Sequence, residues 1–365
     1  MGFNCGIVGL PNVGKSTLFN AITAGRADAS NYPFCTIDPN VGVVPLRDER
    51  LDLLASIYRP GRTVPSTMEF VDIAGLVRGA SRGEGLGNQF LSHIRNVDAI
   101  AHVVRCFDDP DVVHVDGSVD PVRDIGVVET ELLLRDVDTV AKKLADAGKR
   151  AKAGEKKSRA EAEFYTRLKD HLGSGRPARN AGPLSDEERL ILRDCHLLTS
   201  KPVVYVCNVG ERGMRTDDPR VQSVSSLASG EGARAVVVSA ALEAEVSRLP
   251  EEERGAFLAD LGIAESGLTK LVREGYGLLS LVTFFTANPK ELHAWTVPRG
   301  TPAPRAAGAV HTDFEKGFIR AEIMKFEDLK RLGSESAVRD AGLMALEGRD
   351  YVIQEGDVAH FRFTV

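Results

Sequence analysis

The sequence predicts a parallel α/β nucleotide-binding domain, split by an α-helical hairpin and followed by a small α+β module. Three observations carry that prediction. A glycine-rich turn stands between an apolar strand and a helix at Gly9 to Ser16. Strand and helix patterns alternate from residue 1 to about 139 and resume from Pro202 to Leu279, as in a sheet covered on both faces. The stretch between carries apolar residues at helical spacing. The expected division is 1–139 with 199–279 for the nucleotide domain, 140–198 for the helical arm, and 280–365 for the module.

The first element is the apolar run Cys5 to Val8, followed by Gly9-Leu10-Pro11-Asn12-Val13-Gly14-Lys15-Ser16 and the helical Thr17-Leu18-Phe19-Asn20-Ala21-Ile22. This is a phosphate-binding loop in its strand-to-helix setting. The glycines let backbone N–H groups from Asn12 to Thr17 curl around phosphates, and the helix start adds its positive dipole end. Lys15 reaches the outer phosphates and the Ser16 hydroxyl ligates magnesium. The chain is therefore expected to handle a nucleoside triphosphate.

Next, Asn31-Tyr32-Pro33-Phe34-Cys35-Thr36-Ile37-Asp38-Pro39-Asn40 is too rich in Pro and Asn for a helix and reads as a first switch, with Thr36 completing the magnesium shell. Met68-Glu69-Phe70-Val71-Asp72-Ile73-Ala74-Gly75 reads as strand, carboxylate and glycine turn. Asp72 would hold a magnesium-bound water, and the Gly75 N–H would meet the terminal phosphate and release it after hydrolysis. Leu76 stands where many switch GTPases place the Gln that orients the attacking water, so intrinsic hydrolysis should be slow. Two residues are candidates to replace that Gln. Asn12 could help hold a potassium ion between the phosphates, and His114, in the loop Asp108 to Val115, could orient or deprotonate the water.

The arm follows, with helical spacing in Leu132 to Leu144 and Ala160 to Leu172 and a basic turn from Lys149 to Arg159. Residues 141–176 hold eleven Lys or Arg against five Asp or Glu in a chain of net charge −6, which leaves the rest of the molecule at −12. A basic arm on an acidic body suits a polyanion, although Lys-rich helices are also common solvated faces. Ser185-Asp186-Glu187-Glu188 has the form of a capped helix start leading back to the sheet.

The base-reading element is expected after the buried strand Pro202 to Cys207, at Asn208-Val209-Gly210-Glu211. A guanine reader normally shows Asn-Lys-x-Asp. Here the Lys is missing and the Asp is lengthened, and Ser239-Ala240-Ala241 lacks the Lys of the usual Ser-Ala-Lys. ATP is favoured over GTP, with Asn208 pairing to adenine N7 and N6, the Val209 backbone close to the ring and Glu211 failing to support guanine. In the module, strand-like runs Leu281 to Thr286 and Val358 to Val365 enclose helices at Phe326 to Leu332 and Ser334 to Gly342, and His311 and Asp313 read as turn-building side chains.

Taken together, Gly9 to Phe19, Asn31 to Pro45, Thr67 to Asn88, Ala99 to Phe107, Asn208 to Glu211 and His311-Thr312-Asp313-Phe314-Glu315-Lys316-Gly317-Phe318-Ile319-Arg320 resemble the YchF group of Obg-like ATPases along nearly the whole chain. The resemblance implies a translation-factor-class nucleotidase with an Obg-type nucleotide domain, ATP preference, ribosome association through rRNA at the arm, and a C-terminal ubiquitin-like β-grasp TGS domain. Three functions stay open at this point: an ATP-hydrolysing ribosomal switch, a GTPase, and a binding protein in which ATP sets the state without appreciable turnover. The apolar share of 43% can fill a core, and no apolar run approaches the roughly 18 residues of a membrane span. A cytoplasmic monomer is expected. Cys5, Cys35, Cys106, Cys195 and Cys207 are scattered without paired spacing, so reduced thiols are expected rather than a disulfide framework or a zinc site.

Overall fold

The structure is a computed structural model that describes residues 3–24, 40–73, 86–153, 155–215 and 218–364. Twelve strands and fourteen α-helices are described. In the first part of the chain they run β1 (Phe3–Val8), α1 (Lys15–Ala24), β2 (Val41–Pro45), α2 (Glu49–Tyr58), β3 (Arg62–Val64), β4 (Thr67–Asp72), α3 (Leu86–Asn96) and β5 (Ala99–Arg105). The arm comprises α4 (Pro121–Lys152), α5 (Lys156–Gly173) and α6 (Asp186–Asp194). The sheet resumes with β6 (Val203–Asn208), α7 (Pro219–Glu231), β7 (Arg234–Val238), α8 (Ala240–Val246), α9 (Glu251–Asp260) and α10 (Gly267–Leu278). The last part holds β8 (Leu281–Ala287), β9 (Glu291–Pro298), α11 (Ala303–Val310), α12 (Thr312–Lys316), β10 (Phe318–Lys325), α13 (Phe326–Leu332), α14 (Glu335–Asp340), β11 (Ala345–Glu347) and β12 (Asp357–Phe363).

The first sheet has the order β2-β4-β1-β5-β6-β7. All its pairings are parallel except β2 with β4. Every residue of β5 and β6 is buried, the continuous apolar signature of a central parallel strand covered by helices on both faces. The β1 and β6 strand ends and the α1 start thus gather at one edge of the sheet, where a ligand crevice is expected in open α/β folds.

The arm is a helical hairpin, as its spacing predicts, but its first helix begins well ahead of the domain boundary expected at 139–140. Helix α4 is 32 residues long and starts at Pro121, behind the Asp120 cap, so the expected boundary at 139 falls inside one continuous helix. Its first half contributes Ile125, Val128 and Leu132 to the core beneath the sheet. Its second half joins Val140 and Ala147 to Phe164, Leu168 and Leu172 of α5. The root is latched by Asp136, whose buried carboxylate accepts from the N–H groups of Leu198 (2.9 Å) and Thr199 (2.8 Å) and from the Thr199 hydroxyl (2.7 Å). Arg179 adds a second tie, pairing with Glu129 of α4 and with Glu231 of α7 at 2.8 Å. At α6 the expected capping box is complete, with the Ser185 and Glu188 side chains each bonded to the other residue's backbone N–H.

The second sheet has the order β11-β10-β12-β8-β9-β3, and its last strand is a surprise. β3 lies between β2 and β4 in sequence, yet it pairs in parallel with β9. Helix α2 goes with it, because Leu51 and Leu54 are buried among Phe285, Leu292, Met324, Leu329 and Val338. The C-terminal module is therefore not confined to 280–365. It takes in α2 and β3 of the segment 46–66, which the sequence reading assigned to the nucleotide domain. His311 does build a turn, since its Nδ1 caps α12 by accepting from the Asp313 N–H at 3.2 Å.

Candidate functional site

The loop from Gly9 to Ser16 is shaped by three residues with positive φ. Gly9 (φ 153°) and Gly14 (φ 98°) sit where a β-carbon would lie 2.4 Å from the Val103 carbonyl oxygen and 2.1 Å from Asn208 Nδ2. Only glycine fits at either place. Asn12 (φ 61°) occupies the left-handed region, which Asn tolerates better than most side chains. Helix α1 begins at Lys15, with Leu18 N–H bonded to Gly14 C=O at 3.0 Å, so the N–H groups of the first turn are directed into the loop. Val13 is buried, while Ser16 and Thr17 are exposed at the helix start, where a phosphate and its metal would lie.

Lys15 is buried, and its ammonium donates to the Gly9 and Leu10 carbonyls at 3.0 and 2.6 Å. Burial pushes its pKa down to about 8, and the charge of Asp72 opposes that fall. Burial raises the Asp72 carboxyl in turn, with Lys15 drawing it back. Asp72 ends β4 beside β1, paired with Ile7, and its N–H is held by Asn40 C=O at 2.9 Å. A cation and a carboxylate thus flank a cradle that β-carbons would fill. The donor set fits a triphosphate with a magnesium ion, because magnesium in such sites takes one or two protein oxygens and leaves the rest to phosphates and water. No cluster of three or more metal-binding His, Cys, Asp or Glu side chains exists among the described residues. Thr36 and Gly75, the other expected ligand and phosphate sensor, lie outside the described residues.

Asn208, the residue expected to read the base edge, also bonds within the protein. Its amide is 5% exposed and engaged at both ends. Nδ2 donates to Val13 C=O at 2.8 Å, and Oδ1 accepts from Ala240 N–H at 3.0 Å. An amide oxygen carries two lone pairs, so the bond from Ala240 leaves Oδ1 one acceptor site. One amide hydrogen remains for a single donation. Asn208 thereby holds the phosphate loop to the Ser239-Ala240 turn. The Val209 N–H donates to Val238 C=O at 2.9 Å, and its side chain is buried in the core. Glu211 is exposed at the start of the short 3-10 turn Glu211–Arg215.

His114, the candidate to orient or deprotonate the water, has both ring nitrogens engaged. Its side chain is 6% exposed, Nδ1 accepts from Asp116 N–H at 3.0 Å, and Nε2 lies 2.8 Å from Asp124 Oδ2. With Nδ1 an acceptor, the proton sits on Nε2 and points at the carboxylate. Neither nitrogen is available to a water until the ring leaves Asp124. Asn12 is tied to the same loop, because its Nδ2 donates to Val113 C=O at 3.1 Å.

The structure adds one residue that the sequence reading missed. Arg105 is 2% exposed and its guanidinium donates to the carbonyls of Phe107, Asp109 and Val112 at 2.9 to 3.2 Å. It also lies over the Phe107 ring, 4.6 Å from the centroid. Arg105 builds the 107–112 turn beside the phosphate loop. Its signal was present: a lone Arg ending the apolar run Ala99 to Val104. The described cysteines, Cys5, Cys106, Cys195 and Cys207, are buried and free, and Cys35 lies outside the described residues.

Comparison with known proteins agrees with this geometry. Residues 4–143 match the family described as 50S ribosome-binding GTPase, and residues 281–364 match the YchF-GTPase C-terminal family, described as a protein of unknown function. The chain is 52% identical over 365 residues to the Ribosome-binding ATPase YchF of Haemophilus influenzae, covering 100% of both sequences. It is 50% identical over 367 residues to the protein of the same name from Bacillus subtilis, again over 100% of both. A solved YchF GTPase from Schizosaccharomyces pombe matches with a TM-score of 0.88 and 39% identity, covering 99% of this chain and 98% of that one.

Proposed function

The chain belongs to the YchF family, and on that premise we propose that it is a ribosome-associated Mg-ATP hydrolase acting as a slow conformational switch in the cytoplasm, as a monomer. The observation that carries the reading is the glycine cradle closed by Lys15 and faced by Asp72. Magnesium bound with ATP would offset charge on the outer phosphates. Ser16 and Thr36 would ligate it directly, and Asp72 would hold a water of its shell. Lys15 would exchange its loop carbonyls for phosphate oxygens, with Gly75 sensing the terminal phosphate. Asn12 keeps its Oδ1 for a potassium ion. For His114 to act on the water, its ring must first leave Asp124.

Preference for ATP rests on the departures from a guanine site at Val209 and Glu211, because the relatives' names include both ATPase and GTPase. Calorimetry should show tighter ATP than GTP binding, and Val209→Lys with Glu211→Asp should narrow the gap. Tighter GTP binding by the unmodified protein would sink this assignment.

Ribosome association draws support from the arm. Lys149 at its tip is largely exposed. Arg150 is exposed but pairs with Glu161 at 2.8 Å and Ser158 at 3.2 Å, so its charge is already shared within the hairpin. About five phosphate contacts then remain, and ribosome affinity should fall with salt at a logarithmic slope of about −3.5 to −4.5. Co-sedimentation with ribosomes across salt concentrations, in ATP-analogue, ADP and nucleotide-free forms, tests the whole proposal. Identical, salt-insensitive sedimentation in all three forms would defeat the ribosomal switch and leave the nucleotidase reading standing.

A further inference from the structure

Strands β2 and β4 form an antiparallel ribbon with two very different ends. At one end Asp72 faces Lys15 and is held by Asn40. At the other, where a hairpin would turn in a few residues, the chain leaves the sheet for residues 46–66 and plugs into the C-terminal module. The neck of that excursion is closed by Leu46 N–H to Ser66 C=O at 2.7 Å. The Ser66 hydroxyl donates to Ala294 C=O at 3.0 Å and lies 2.7 Å from the Thr296 hydroxyl, both on β9. Beyond the neck, Gly61 N–H bonds Pro289 C=O at 3.1 Å. Arg50 reaches Glu355 at 2.6 Å and stands 5.4 Å from the centroid of the Phe285 ring.

A ladder-bonded ribbon resists compression along its length, and Leu54, fully buried, cannot slide without reopening the C-terminal core. A shift at the carboxylate end therefore moves the C-terminal sheet or breaks this packing. We propose that residues 46–66 couple the metal-side carboxylate Asp72 to the C-terminal sheet, with Ser66 and Thr296 as positioning residues. The inference rests on the Mg-ATP reading above and adds its regulation: whatever binds the C-terminal sheet tunes Mg-ATP affinity, and the reverse follows by linkage.

Two measurements on the full chain test this. In hydrogen exchange, adding magnesium with a non-hydrolysable ATP analogue should change protection of peptides covering 49–64 and 291–298, and Lys15→Ala should abolish the change. In calorimetry, Thr296→Val should shift the magnesium concentration needed for ATP-analogue binding by about fivefold, whereas Thr296→Ser, which keeps the hydroxyl, should restore it. Thr296 lies outside the nucleotide domain, so a local loss of fold does not mimic this readout. Binding that leaves both peptides unchanged, with Thr296→Val superimposable on the unmodified protein, overturns the coupling alone. Absence of any Mg-ATP-analogue binding by the unmodified protein overturns the coupling and the nucleotide reading together.

Discussion

Lys15 shows what a site designed for a ligand costs its own fold. Its ammonium is pushed from 10.5 down to about 8 because it is buried. The unfolded chain binds that proton more tightly, so between those pH values it holds more protons than the native state, and stability rises with pH across the window. Below about 8 the penalty is present in full. Lys15→Met should therefore stabilise the nucleotide-free protein at neutral pH by on the order of 2 to 3 kcal/mol, a gain that shrinks as pH approaches 10.5. The same substitution should abolish Mg-ATP binding, and urea melts at neutral and alkaline pH with calorimetry check both. The loop itself was legible because its glycines, lysine and helix start stand in one short run, with Lys15 bonded to Gly9 and Leu10 of the same run. Asn208 was not, because its partners Val13 and Ala240 are 195 and 32 residues away and only the fold brings them together.

Among the elements, α4 does two jobs in one stretch. At 1.5 Å per residue its 32 residues run about 48 Å, from the core under the sheet to the arm tip. The periodicity of its apolar residues revealed the helix but not its continuity, since the core-facing and arm-facing halves share the same spacing. Asp136 sits where the two halves meet and is the acceptor for two buried backbone N–H groups. Asp136→Ala should destabilise the arm root by about 1–3 kcal/mol for each donor left unpaired. Hydrogen exchange at Leu198 and Thr199 should accelerate with it, while Mg-ATP affinity stays close to that of the unmodified protein.

At the scale of the whole molecule, the alternating pattern told the first sheet from the second but not where α2 and β3 belong. A three-residue strand and an amphipathic helix carry no mark of which sheet they join, and their apolar faces would suit either core. The consequence is testable with a chain ending at residue 279. Such a fragment keeps every strand of the first sheet, yet it exposes Leu51 and Leu54 and leaves β3 without β9. It should melt well below the full protein and bind an apolar dye, and equal melting temperatures would show that the segment folds independently of its cover.

That shared sheet also sets an order of events during synthesis. Residues 49–64 leave the ribosome well before their cover, which is made from residues beyond 280. At translation rates of about 5–20 residues per second, the helix waits more than ten seconds with its apolar face open. The ribosome that makes this chain is thus the first body its unfinished segment meets, and the segment is not fully covered until β12 has been read.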